Sequence, residues 1–141
     1  MSAYSSEIQL STRGDSDIHD ISESLQRIVG ESGIRTGQAT AMVVGSTAAL
    51  STLEYEPGLV NHDIAAALEK IAPENGTYEH EKTWNDDNGH SHVRATLIGP
   101  SLAMPVVDGR IPFGTWQQAV LIDCDTRGRN RKIVVTVVGQ H

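Results

Sequence analysis

Apolar and polar positions change rhythm several times along this chain. Ile8 and Leu10 alternate with polar neighbours, and a period of two predicts a strand over residues 6–12. Ile18, Ile21, Leu25, Ile28 and Val29 then fall at helical spacing. Asp15, Ser16 and Asp17 offer an N-cap, and Gly30 and Gly33 a stop, so a helix is predicted over 17–29. Residues 39–44 form a short apolar run, read as a buried strand. Leu59, Ile64, Ala67, Leu68 and Ile71 share one stripe and predict a second helix over 59–71, ended before Pro73. Residues 73–88 are polar and are expected to form a loop, and a loop of that length in a compact domain is usually functional. From Val93 the pattern turns to β. Strands are expected at 93–98, 101–107, 116–124 and 132–138, separated by Gly99-Pro100, Asp108-Gly109-Arg110 and the polar run 126–130. Two helices and about six strands give an α+β fold, with an antiparallel β-sandwich or barrel-like sheet and the two helices packed outside.

Composition narrows the classes. With 141 residues and no repeat or composition break, one domain over 1–141 is expected. Aromatics make up 4% of residues, so the core must come from Val, Ile, Leu and Ala. A net charge of −7 argues against non-specific nucleic-acid binding, which requires a basic surface. The N-terminal residues lack the basic-then-apolar order of a signal peptide, and no apolar run reaches the roughly 20 residues of a membrane span. A soluble cytoplasmic protein without a membrane partner is the expectation. Cys124 is the only cysteine, which excludes an internal disulfide, and its neighbours Asp123 and Asp125 raise a thiol pKa rather than lower it. It reads as structural.

Chemistry concentrates elsewhere. Three of the six histidines, His80, His90 and His92, lie within thirteen residues, among Glu79, Asp86, Asp87 and Asn88. In an extended strand His90 and His92 project to the same face. Three imidazoles with one position left open would suit a catalytic divalent metal, zinc or magnesium, with Asp87, Asp86 or Glu79 as carboxylate ligand or supporting partner. The plainer alternative is a set of surface or hydrogen-bonded core histidines. A second segment, 109–118, brackets a tight turn. Arg110 offers a fork for phosphate, Thr115 and Gln117 uncharged donors, and Trp116 a flat face for a ring, unless Trp116 merely fills core. Arg127, Arg129, Arg131 and Lys132 form a basic patch able to hold phosphate, or else a solvated hairpin loop. In the small, hydroxylated run 45–54, Glu54 is available as a base or metal ligand. Neither a Gly-x-Ser-x-Gly elbow nor a Walker-type loop is present.

In order and spacing, Tyr78-Glu79-His80, Asp87-Asn88-Gly89-His90-Ser91-His92, Gly99-Pro100-Ser101 with Pro105, Gly109-Arg110, Gly114-Thr115-Trp116-Gln117 and the Asp- and Arg-rich tail from Asp123 to Arg131 resemble the YjbQ-like family. Some of its members are described as secondary thiamine-phosphate synthases. The resemblance covers about residues 6–139. It implies an α+β fold dominated by an antiparallel sandwich, a homotrimer, and a polar site around the histidines and the Gly-Thr-Trp-Gln turn. It also implies joining of a pyrimidine diphosphate to a thiazole phosphate with release of pyrophosphate. His80, His90, His92, Asp87 and Glu54 are the expected catalytic residues, and Asn88, Arg110, Thr115, Trp116, Gln117 and Arg129 the expected substrate contacts. One departure stands out: Gly45 occupies the place where many relatives carry a histidine. That departure favours a second reading, a protein of the same fold that binds a metal or a small phosphorylated metabolite without turnover; a third reading, independent of Gly45, is a structural trimer whose histidines serve subunit contacts.

Overall fold

The computed structural model describes residues Met1–His141. Two antiparallel sheets face each other. One has four strands in the order β1 (Ser2–Ser11), β7 (Asn130–Gln140), β3 (Thr36–Val44), β5 (Ser101–Val107). The other has three, β2 (Asp17–Asp20), β6 (Gln118–Asp123), β4 (Ala48–Leu53). The α+β sandwich expected from the pattern is what the chain forms.

Alternation explains the layers. Ala39, Ala41 and Val43 of β3 and Ile133, Val135 and Val137 of β7 point inward and meet Ala48 and Leu50 of β4 and Ala119 and Leu121 of β6. Between them, Val120, Ile122 and Cys124 point the other way, into a smaller cluster with Ile18, Leu68, Val60, Ile64 and Ile98. The middle strand β6 is therefore buried on both faces, which is why its sequence reads as an unbroken apolar run. The second cluster is covered by two helices, α2 (Ile64–Ile71) and α4 (Gly89–Ile98), whereas α1 (Ser22–Ser32) places Leu25, Ile28 and Val29 in the main core. A short α3 (His80–Trp84) interrupts the polar stretch that was expected to be loop.

Three expectations need correction. The helix predicted over 17–29 begins only at Ser22. Residues Asp17–Asp20 instead form an edge strand with Ile18 opposite Ile122, and the Asp20 carboxylate accepts the Ser22 N–H at 2.9 Å. Ile18 suits both patterns, and pairing with β6 gives it a buried place. The predicted strand 93–98 is the body of helix α4. Buried Ser91, Arg94 and Ala95 lie on one helical face while Val93 and Leu97 are exposed, and the Arg94 Nε donates to the Ala72 carbonyl at 2.9 Å. The run from Ala48, small and hydroxylated in the sequence and given no element there, is strand β4. The second helix appears where predicted, with its first turn, Leu59–Asp63, wound as a π-helix.

The buried Cys124 thiol is pushed up to about 12 by burial. It stays protonated, so alkylation by iodoacetamide at pH 8 is expected only after unfolding. Labelling of the native protein at the rate of a free thiol would contradict this placement.

Candidate histidine and arginine cleft

The switch from strand to helix rearranges the histidines. Residues two apart on a helix diverge by about 200° rather than sharing a face. His90 and His92 therefore part. His90 is 2% exposed, its ring lies 6.3 Å from that of Tyr78, and its Nδ1 is buried without a partner. His92 instead meets His80, with ring centroids 4.3 Å apart and planes tilted by 48°. His80, at the start of α3, holds Nε2 3.2 Å from the Asn88 Oδ1 and 3.4 Å from an Asp86 carboxylate oxygen. The expected trio is thus a pair, with the third imidazole on another side of α4.

Beneath the pair lies a charged network that the sequence reading did not find. Asp123 is fully buried and is clasped by Arg131 through Nε at 2.7 Å and Nη2 at 2.9 Å. Arg131 Nη2 also donates to the Thr47 Oγ1 at 2.8 Å, and that hydroxyl donates to the Asp125 Oδ2 at 2.9 Å. Arg129 Nε reaches the same Asp125 oxygen at 2.9 Å. The signal for this network is the spacing of Asp123 and Asp125 at the end of one strand and of Arg129 and Arg131 at the start of the next, opposite charges on either side of a short turn. An open cleft of about 470 Å³ runs past this network, lined by Asp86, Asp87, Asn88, Asp125, Thr126, Arg127 and Arg129.

The electrostatics follow from these contacts. Burial lowers the pKa of His92 and the facing His80 lowers it further, against the pull of Asp125, Asp86 and the Ser46 backbone carbonyl. His92 is accordingly a neutral imidazole at neutral pH. Burial alone would raise Asp125, but hydrogen bonds from Thr47 and the Thr126 N–H together with Arg129 outweigh it and hold the carboxyl below its ordinary 3.8. A depressed carboxylate stabilises the fold above the unfolded-state value of about 3.9, and that contribution is lost as pH falls toward the lower folded value. Asp125→Asn is therefore expected to flatten the acid limb of stability below about pH 4, measured by circular dichroism across a pH series. An unchanged limb would refute the assignment.

The remaining predicted residues lie apart. Glu54 follows β4, and Thr115, Trp116 and Gln117 precede β6, at the sheet end opposite the histidines. Opposite ends of a six-residue strand are separated by about 17 Å. There Gln117 Nε2 donates to the Thr52 Oγ1 at 3.3 Å, and Trp116 is 73% exposed rather than core. Arg110 is exposed in the turn after β5, and Glu79 pairs with Lys82 at 2.9 Å. A metal fits poorly. His80, His92 and Asp86 come nearest to a ligand set, yet no three His, Cys, Asp or Glu side chains converge as metal ligands.

A model of the family described as UPF0047 protein YjbQ-like matches residues 6–140. The chain belongs to this family. It is 35% identical to a UPF0047 protein of Methanothermobacter thermautotrophicus, over 99% of this chain and 95% of the relative. It is 31% identical to the UPF0047 protein YjbQ of Escherichia coli O157:H7, over 84% and 85%. The crystal structure of a YbjQ-like protein of unknown function from Sulfolobus solfataricus superposes with a TM-score of 0.92 at 32% identity, covering 99% of both chains. No helix of the chain is long and apolar enough to cross a membrane.

Proposed function

We propose that this protein is a small enzyme acting on phosphorylated heterocycles, of the thiamine-phosphate synthase type. The reading is carried by one observation: a neutral His92, paired with His80, stands beside a cleft edged by Arg127 and Arg129. In the reaction, the bond from the pyrimidine's methylene carbon to diphosphate breaks, and its electron pair leaves on pyrophosphate. The thiazole ring nitrogen supplies the pair for the new C–N bond. Negative charge grows on the leaving group, and guanidinium donors are the groups suited to it. His92, uncharged, accepts a hydrogen bond from bound substrate.

A homotrimer belongs to the same reading. The outer face of the four-stranded sheet exposes Met42, Val44, Val107 and Val138, and the charges on its β1 and β7 strands, Glu7 and Lys132, lie 3.9 Å apart.

The test is release of pyrophosphate from the pyrimidine diphosphate when the thiazole phosphate is present. Release that requires both substrates supports the reading, and none at high enzyme concentration overturns it. Gly45, where the resemblance implies a histidine, favours the second reading of a binding protein without turnover. A rise in melting temperature with either phosphorylated compound, and no product on long incubation, would select it.

A further inference from the structure

Arg131 has one nitrogen to spare. Its Nε and Nη2 are committed to Asp123 and Thr47, while Nη1 donates to no group of the protein. Nor is Nη1 sealed away: the side-chain atoms both buried and unpartnered are Ser16 Oγ, His90 Nδ1 and Ser91 Oγ. What faces Nη1 is Gly45. A β-carbon at residue 45 would lie 2.8 Å from Nη1, closer than real β-carbons approach such an atom. Gly45 is exposed and its φ is +145°, a conformation that side-chain-bearing residues rarely adopt. The absence of a side chain is thus what keeps this N–H uncovered. The next residue, Ser46, turns its backbone carbonyl toward His92 and favours the protonated ring.

We infer that Gly45 uncovers Arg131 Nη1 as an oxyanion donor on the Gly45–Ser46 side of the histidine pair, and that its ligand is a phosphoryl or pyrophosphoryl oxygen. The inference rests on the phosphorylated-substrate reading above and names the donor for it. A carboxylate ligand is matched best by a two-pronged guanidinium fork, and the fork of Arg131 is already spent on Asp123. A single remaining N–H suits a ligand with several oxygens, each met from a different direction. Arg129, with only Nε engaged on Asp125, and Arg127 are near enough in the chain to share that work. The local charges permit it. Asp123 and Asp125 are each neutralised by an arginine, while Asp86 and Asp87 stand on the cleft wall contributed by the α3–α4 segment, with Asp86 beside His80.

The probe is inorganic pyrophosphate with the full-length protein. In arginine-labelled wild-type protein, the Arg131 Nη resonances, assigned with Arg127→Lys and Arg129→Lys, are expected to shift saturably while Nε stays in place. Gly45→Ala should bind pyrophosphate about tenfold more weakly by calorimetry. If Gly45→Ala fails to fold, the wild-type spectrum still decides. Pyrophosphate binding that leaves Arg131 unmoved, equal binding by folded Gly45→Ala, or no binding by the wild type at millimolar pyrophosphate would each overturn the inference. Turnover without a response at Arg131 would leave the proposed reaction standing and remove this donor. A response at Arg131 without turnover would remove the reaction and keep the anion site.

Discussion

Asp123→Ala should cost the fold about 3–5 kcal/mol, the largest stability loss expected of any charged-residue substitution in this chain. Asp123 has no exposed surface, and Arg131 keeps only 7% of its side chain in solvent. The carboxylate accepts two guanidinium N–H groups, the Thr12 hydroxyl and the Asp125 backbone N–H. Deleting it strands a guanidinium that cannot give up its proton, in a place where water cannot replace what is lost. The penalty is that of an orphaned buried charge rather than the net worth of the pair. Replacing both partners with apolar groups, Asp123→Leu with Arg131→Met, should therefore recover much of the loss. Urea unfolding with matched m-values reads both effects. A loss below about 1 kcal/mol for Asp123→Ala, or strict additivity in the double variant, would contradict the network.

Much of the sandwich was legible because it follows from alternation. The strand predicted over 116–124 contains the unbroken apolar run 119–122 because β6 is covered on both sides, and Leu25, Ile28 and Val29 marked a true helix face. What failed was decided at a distance. Val93, Thr96 and Ile98 are β-branched and, beside His90-Ser91-His92, look extended. The helix is selected because Arg94 finds the Ala72 carbonyl and Glu69 on α2, partners that no local window contains. The candidate site split for the same reason. His80 and His92 meet because α3 and α4 pack together, whereas Glu54 and the Gly-Thr-Trp-Gln turn lie at the far end of β4 and β6. In the sequence Asp123 and Asp125 stand out as neighbours of a cysteine and as part of an Asp- and Arg-rich tail, without a pairing between them. The short connection between β6 and β7 folds them back onto Arg129 and Arg131, and the charge pairing across that connection is visible in the spacing.

His92→Ala is expected to lower kcat/KM for pyrophosphate release by about tenfold, the loss of one hydrogen bond to substrate, while the protein stays folded, because the ring is only partly buried. The equivalent change at His90 should act on stability instead, since that ring is enclosed against Tyr78. The two substitutions separate a residue that serves substrate from one that serves packing. The pH profile carries the sharper argument. His92 works as an uncharged imidazole, and its depressed pKa extends that form to pH values below the ordinary 6.5. Activity should hold through neutral pH and fall only as pH drops through the lowered value. Part of the depression comes from His80, whose ring stands 4.3 Å away. In His80→Ala that repulsion is gone while Asp125 and Asp86 still favour the protonated form, so the acid limb should move to higher pH. A limb that stays in place, or activity unchanged in His92→Ala, would separate the histidine pair from the chemistry and leave the arginines as the only functional element of the cleft.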